Sequence, residues 1–212
     1  VGVLSVSNGQ EYGFLLQNAF ESPVSNEEYF QGHGSRALDF YLTYNYIPLE
    51  DDVADSFHKK EQVSRTLEYA FDDFGLYQLA LIKGDSVHAD ILKPRALNYK
   101  KVFSPSDLSV RGRYADGTFI EDFDNNIRQS YITEGTPFQY TWFVPHDVQG
   151  LMQLMGGQAV FNQKLDELRN TGQYWHGNEP GHHIPFLYNY FGQAWKTQAL
   201  SLIHISEPTR RS

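Results

Sequence analysis

The chain has 212 residues and a formal net charge of −9, from 17 basic and 26 acidic side chains, and it contains no cysteine. An acidic chain without a basic cluster is poorly suited to a phosphate backbone or an anionic membrane, so nucleic acid is excluded as a partner, and the lack of cysteine excludes disulfides and cysteine-ligated zinc. No apolar run approaches the roughly 18 residues of a membrane span, no signal peptide precedes Val1, and the missing initiator Met suggests a truncated start.

Helical periodicity dominates the first half of the chain. The pattern predicts helices over residues 36–44, 61–83 and 86–102, the last interrupted at Pro94. In the second of these, apolar residues alternate at spacings of four and three, and Gly84-Asp85 supplies the stop and the next cap. The apolar stripe is predicted to consist of Val63, Leu67, Ala70, Phe74, Tyr77 and Leu81.

Glu68, Asp72 and Asp73 lie on another face of the second helix. The like-charge pair four residues apart weakens an isolated helix. The acids therefore form either a solvated face or part of a site.

The second half adds one hairpin and further helices. Residues 108–121 alternate around Asp116-Gly117, which predicts a short β-hairpin. Helical patterns follow over residues 138–155, with Pro145 inside, 158–168 and 183–190. Long aromatic and glycine-rich connections join these helices. The predicted fold is mainly all-α, part of an (α/α)6 barrel with a small β-hairpin.

The last thirteen residues, LSLIHISEPTRRS at 200–212, lack the aromatic density of the segment before them. They resemble the translation of a transposase-type sequencing adapter. We therefore expect residues 1–199 to be a fragment of one helical domain and residues 200–212 to be a non-native tail, with the true protein continuing beyond Ala199.

Residues 174–198 concentrate polar and aromatic side chains around a Gly-Asn-Glu-Pro turn. Zinc is disfavoured because His182 and His183 are adjacent, not four apart, and His176 lies across the turn. Asn178 and Glu179 offer the hard oxygens that calcium prefers. The residues alone leave a second possibility open, that both side chains only cap the following helix.

Residues 131–147 hold a second candidate, Glu134, which precedes an aromatic run. Burial against aromatic rings would raise its pKa and make it a proton donor, as in glycosidases. A helix-capping role for Glu134 is equally compatible with the pattern. His146-Asp147 is either a polar pocket contact or a buried pair that fixes the helix.

Four segments occur in an order that resembles glycoside hydrolase family 92: VSRTLEYAFDD at 63–73, RGRYADGTF at 111–119, TEGTPFQYTWFVPHDVQGLMQLMGG at 133–157 and HGNEPGHHIPFLYNYFGQAWKTQ at 176–198. That family comprises calcium-dependent, inverting exo-α-mannosidases with a β-sandwich packed on an (α/α)6 barrel. The resemblance covers about residues 46–198. It implies a mannose-containing glycan as substrate, a secreted, periplasmic or cell-surface location, and a β-sandwich partner domain that this chain lacks.

The resemblance also implies roles for individual residues. Glu134 is expected to be the general acid, and Asn178 and Glu179 are expected to help bind a calcium ion that grips two vicinal hydroxyls of mannose. Substrate contacts are expected around the same pocket or at its rim. They are assigned to His176, His182, His183, Asp72 and Asp73.

Two features depart from the family pattern. The family's Asn after Glu-Gly is Thr136 here, followed by Pro137, and the loop before His176 is short. The general base of the family lies in a motif downstream of the Trp-Lys-Thr-Gln segment, so this chain alone is expected to be inactive. The alternatives are a non-catalytic carbohydrate-binding α/α-barrel module and a glycosidase for another sugar.

Overall fold

A computed structural model describes residues 9–21, 27, 34–50 and 60–206, with side chains described between residues 11 and 200 of these ranges. These parts of the chain are mainly helical, which confirms the predicted fold class. The α-helices are α1 (Gly9–Phe20), α2 (Leu38–Tyr44), α3 (Gln62–Lys83), α4 (Ser86–Arg95), α5 (Pro137–Tyr140), α6 (Val148–Leu154), α7 (Gln158–Asn170) and α8 (Ala194–Ser206). Three segments, Asn98–Lys101, Glu179–Gly181 and Ile184–Phe191, are 3-10 helices, and the strands are β1 (Phe103–Ser104) and β2 (Ser109–Val110).

Helices α3 and α4 form the predicted helical hairpin. Gly84 ends α3 in the left-handed region with φ of 73°, which glycine adopts at little cost. The Asp85 carboxylate then accepts the backbone N–H of His88 at 3.1 Å and begins α4. Helix α4 ends at Arg95, just after Pro94, and a 3-10 turn replaces the predicted continuation to residue 102.

The buried stripe of α3 differs from the prediction at its end. Val63, Leu67 and Ala70 are buried as predicted, but Leu81 is 52% exposed and Ala80 is buried in its place. Ala80 packs with residues of α1 and α4, where a small side chain allows the helices to approach closely.

The predicted helix over residues 138–155 is two helices. Pro145 has no N–H and disfavours a helical residue before it, so the chain leaves helical geometry after α5. The Asp147 carboxylate accepts the Gly150 N–H at 2.9 Å and starts α6. Asp147 also accepts the Tyr99 hydroxyl at 2.7 Å. In the predicted His146-Asp147 pair, Asp147 therefore makes a structural contact.

The predicted β-hairpin is reduced in the structure. Around Asp116-Gly117 a single bridge joins Arg113 to Phe119. Regular pairing lies just before it, where β1 and β2 are antiparallel in the register Phe103↔Val110 and Ser104↔Ser109. A short β-structure accompanies the helices, as expected, but of its two strands only β2 lies within the predicted range 108–121.

The main core lies between the segment 131–144 and the helices around it. Trp142 is fully buried and meets Phe161 of α7 edge-on, with ring centroids 5.1 Å apart. The predicted helix over residues 183–190 is the 3-10 helix Ile184–Phe191, whose Ile184 and Leu187 lie three apart on one buried face.

Helix α8 is tied to α7 because Lys196 Nζ lies 2.6 Å from Asp166 Oδ2. It extends to Ser206, past the point where the non-native tail is predicted to begin, and residues 207–212 lie outside the described part. Among the described residues, no helix combines the length and the apolar character needed to cross a bilayer.

Candidate active site

The loop that carries Glu134 is attached to the start of α3. The carbonyl of Tyr131 accepts the N–H groups of Val63 at 3.1 Å and Ser64 at 3.3 Å, two donors that the first turn of a helix leaves without intrahelical partners. The Ser64 hydroxyl in turn accepts the Thr133 N–H at 2.8 Å. These bonds hold the loop beside α3 directly before Glu134.

The other side of this loop begins α5. Thr136 caps the helix in a capping box with Gln139, and Pro137 occupies the first turn, where its fixed φ suits a helix. Thr136 replaces the family's Asn with another residue that caps helices well. The capping role left open for Glu134 therefore belongs to Thr136.

Glu134 itself presents its carboxylate to solvent. The side chain is exposed, so the expected enclosure by aromatic rings is wrong. Its backbone carbonyl accepts a hydrogen bond from Arg128 Nη2 at 3.0 Å, which fixes the peptide while leaving the carboxylate accessible. Behind the loop, burial raises the pKa of Tyr140 to about 12, and the nearby Glu134 carboxylate adds to this shift.

The second loop, residues 173–183, is organised by backbone contacts and stacked rings. The Asn178 N–H bonds the Trp175 carbonyl at 3.3 Å, closing the turn. The Trp175 ring packs over Gly177, where a Cβ would lie 2.6 Å from the Trp175 Nε1 atom and would displace the ring. The imidazoles of His176 and His182 stack with centroids 4.8 Å apart, and His182 Nε2 donates to the His176 carbonyl at 2.9 Å.

The two loops meet at the side chains of two predicted site residues. Asn178 Nδ2 donates to Glu134 Oε2 at 3.2 Å, although the residues are 44 positions apart in the chain. Asn178 makes no side-chain cap for the 3-10 turn Glu179–Gly181 that it precedes, so the capping alternative is not what its amide does here. A small cleft, open to solvent, adjoins this contact on the Asn178 side. Its walls include Tyr140, Phe143, Trp175, Asn178 and Ile184.

Glu68 and Asp72 of α3 face the same region. Both side chains reach solvent, but the protein around them removes part of the hydration of each carboxylate. This loss of hydration raises the pKa of Glu68, and the neighbouring carboxylates of Asp72, Glu61 and Glu134 raise it further. It also raises the pKa of Asp72. Glu68 therefore lies within electrostatic reach of the candidate acid Glu134.

Asp73 is separated from these groups, and its assignment as a substrate contact is not retained. It is 2% exposed, on a face of α3 about 100° around the helix from Asp72. Its carboxylate contacts Arg95 Nη2 at 2.7 Å and accepts the Tyr41 hydroxyl at 2.9 Å. Burial raises the pKa of Asp73 to about 6, although Arg95 and Tyr41 oppose the shift.

The three predicted histidines occupy different environments. His176 and His182 are exposed beside Asn178, and the Nδ1 of His176 is hydrogen-bonded to the Tyr174 hydroxyl at 2.6 Å. His183 is half-buried and donates from Nε2 to the Trp142 carbonyl at 2.6 Å. Burial lowers the pKa of His183. Through its hydrogen bond to Trp142, His183 attaches the second loop to the core.

Asn178 and Glu179, the predicted calcium ligands, are adjacent residues at the start of the 3-10 turn Glu179–Gly181. The Glu179 carboxylate is exposed and makes no hydrogen bond or ion pair with any described residue, which leaves both its oxygens available. Within the described ranges no group of three acidic, histidine or cysteine side chains is arranged to hold a metal. Since calcium takes six to eight oxygens, the remaining ligands must be carbonyls, water, substrate hydroxyls or other segments.

Two residues of this site were missed by sequence reasoning. Gln139 could have been found, because Thr136-x-x-Gln139 is the sequence signature of a capping box. Arg128 gives no such signal, since its contact with the Glu134 carbonyl depends on how the loop folds back.

Comparison with known proteins gives consistent matches. Residues 2–206 match the glycosyl hydrolase family 92 catalytic domain. A solved family GH92 α-mannosidase from Bacteroides thetaiotaomicron is 34% identical, with a TM-score of 0.76 over 89% of this chain and 24% of its own. An inverting family GH92 mannosidase from the same organism is 26% identical, with a TM-score of 0.80 over 92% of this chain and 28% of its own.

A curated relative from Arthroderma benhamiae, described as an uncharacterized secreted glycosidase, is 27% identical over 205 residues, covering 82% of this chain and 26% of its own length. The chain thus spans about a quarter of the proteins that it matches.

Proposed function

The chain belongs to glycosyl hydrolase family 92, and on that premise we propose that it carries the proton donor and part of the sugar-binding site of an inverting exo-α-mannosidase. The observation that supports this best is the 3.2 Å hydrogen bond between Asn178 and Glu134, which unites two motifs 44 residues apart. The substrate is a glycan with a terminal α-mannose. A secreted location is supported by the description of the Arthroderma benhamiae relative.

Glu134 acts as the general acid. Its exposed carboxyl group, on a loop fixed at the backbone by Arg128, donates a proton to the glycosidic oxygen as the bond to the leaving group breaks. Asn178 orients the Glu134 carboxylate through Oε2 and leaves the second oxygen to carry the proton. The anomeric carbon gains oxocarbenium character, and water attacks this carbon from the opposite face of the sugar ring.

Inversion requires a second carboxylate, about 6.5–9.5 Å from the first, to activate that water. On the family resemblance, this base is expected downstream of the Trp-Lys-Thr-Gln segment, and a β-sandwich is expected to complete the pocket. We assign no residue of this chain to the role. The chain by itself is therefore expected to show no turnover, and the activity is proposed for the larger enzyme.

Asn178 and Glu179 would hold a calcium ion in this site. When bound, the ion supplies a grip on two vicinal hydroxyls of the terminal mannose, an arrangement that their cis relation in mannose suits. Calorimetric titration of the chain tests the assignment without activity. Glu179→Gln is expected to weaken calcium binding, whereas Glu167→Gln on α7 is expected to leave it unchanged. Equal affinities for both variants would remove Glu179 from the site.

The role of Glu134 is tested by Glu134→Gln in the full-length enzyme, with Glu121→Gln as the control at an exposed carboxylate. Loss of a general acid costs about 10²- to 10⁴-fold in kcat when the leaving group is poor. Methyl α-mannoside should show this loss. 2,4-Dinitrophenyl α-mannoside should lose far less, because its leaving group needs no proton. Unchanged turnover of the methyl mannoside by Glu134→Gln would refute Glu134 as the general acid. Turnover of glucosides in place of mannosides would refute mannose as the substrate sugar.

A further inference from the structure

The side chain of Gln139 joins the two loops of the proposed site. Its Oε1 accepts the Thr136 N–H at 2.9 Å, and the Thr136 hydroxyl accepts the Gln139 N–H at 3.3 Å. Its Nε2 donates to the Gln173 carbonyl at 2.6 Å. One amide therefore serves the helix cap with its oxygen and an inter-loop bond with its nitrogen.

The Gln139 side chain packs against Gly135. A Cβ on Gly135 would lie 2.6 Å from Gln139 Oε1 and 3.2 Å from the Tyr140 ring, so the side chain packs directly on the backbone of the acid loop. Gln139 is half-buried, and Tyr140 is 3% exposed. The glycine allows this approach, and the packing keeps the amide aimed at Gln173.

The bridge connects points close to the functional groups. Thr136 follows Glu134 by two residues, and Gln173 precedes Asn178 by five. The direct Glu134–Asn178 bond is longer, at 3.2 Å, and solvent-exposed, so water competes for it. The Gln139–Gln173 bond is shorter and partly buried. It is the better determinant of how far apart the two loops stand.

We propose that Gln139 is a positioning residue that sets the distance between the Glu134 loop and the Asn178-Glu179 loop, and thereby the direction from which Glu134 reaches the glycosidic oxygen. This rests on the proposed function. Gln139 and Gln173 also line the cleft beside Asn178, but the role proposed for Gln139 acts through the backbone of both loops and requires no contact with the substrate.

Gln139→Glu separates the two tasks of this side chain. A glutamate three residues after a threonine cap preserves the capping box. Its carboxylate cannot donate to the Gln173 carbonyl, so the bridge is lost. Gln139→Met removes both bonds without adding charge. Gln163→Glu makes the same chemical change on the exposed surface of α7 and serves as the control.

In the full-length enzyme, both Gln139 variants are expected to lower kcat for methyl α-mannoside about 10- to 100-fold, the usual effect of a misplaced catalytic group. The loss with 2,4-dinitrophenyl α-mannoside should stay below about threefold, because that substrate does not need the acid. In the isolated chain, hydrogen exchange at residues 174–178 should accelerate in Gln139→Glu. The amides of Thr136 and Gln139 should remain protected, since the cap persists.

Equal losses on both substrates would overturn the proposal, because they indicate general destabilisation. Wild-type kcat in Gln139→Met would also overturn it, since the effect in Gln139→Glu would then come from charge. Glu134→Gln, measured in parallel, distinguishes failure of the proposed function from failure of the Gln139 bridge alone. If Glu134→Gln turns over methyl α-mannoside normally, the proposed function fails; if it loses activity and the Gln139 variants do not, only the bridge fails.

Discussion

The adjacent acids Asp72 and Asp73 test which face of α3 is exposed beside the proposed site and which face is buried in the core. We predict that Asp73→Asn destabilises the chain strongly and that Asp72→Asn does not. Asp73 is 2% exposed and bonded to Arg95, whereas Asp72 is exposed. The two substitutions are chemically identical and differ only in the face of the helix.

The magnitude follows from the contacts of Arg95. Its Nη2 and Nε atoms contact the two Asp73 oxygens at 2.7 and 2.9 Å, and its guanidinium lies over the Phe20 ring at 5.0 Å. Removing the carboxylate leaves a buried cation without its counter-charge, which costs about 3–5 kcal/mol. For a chain of this size that corresponds to a fall in Tm of about 6–20 °C. Asp72→Asn should change the free energy of unfolding by no more than about 0.5 kcal/mol.

Urea and thermal unfolding of the chain at pH 7.5, followed by circular dichroism, measure both effects. Arg95→Leu combined with Asp73→Asn should be less destabilising than the sum of the single changes, because the unpaired charge is gone. In the full-length enzyme, Asp73→Asn should leave KM unchanged at temperatures where it stays folded. Similar stabilities of Asp73→Asn and Asp72→Asn, or a raised KM with unchanged stability, would refute the assignment of Asp73 to the core.

Three other outcomes are expected. Gly135→Ala should cost about 1–3 kcal/mol by overpacking against Gln139, and a wild-type Tm would contradict the close packing. The folded-state pKa of His183 lies below its unfolded value of about 6.5. The free energy of unfolding should therefore fall as the pH drops from about 6.5 towards the folded pKa. His183→Gln, which can still donate to the Trp142 carbonyl, should flatten this dependence in Tm measured between pH 7.5 and 5.5. Phe161→Ala should cost about 3–5 kcal/mol through the cavity it leaves, and an effect below 1 kcal/mol in urea unfolding would show that the core collapses around it.

Much of the fold was readable from local patterns. The stop at Gly84 and the cap at Asp85 are decided by residues within one turn, so the boundary between α3 and α4 was predicted correctly. Segments whose geometry depends on distant packing were less predictable. The register of β1 and β2 and the 3-10 geometry of Ile184–Phe191 belong to this group.

Sequence alone named the residues with chemistry to offer. The residues by themselves left the roles of Glu134 and of Asn178-Glu179 open, and the resemblance of the ordered motifs to family 92 supplied the expected acid and the expected calcium ligands. Sequence could not establish that Asn178 contacts Glu134, since 44 residues separate them and a loop's path is set by packing at both its ends.

Only the tertiary structure separated Asp72 from Asp73. Successive residues on a helix point about 100° apart, so one of two adjacent acids can face solvent while the other faces the core. Which one is buried depends on partners far along the chain, Arg95 at 22 positions and Tyr41 at 32. A buried carboxylate is stable only where such partners compensate its lost hydration, and their arrangement exists only in the folded chain.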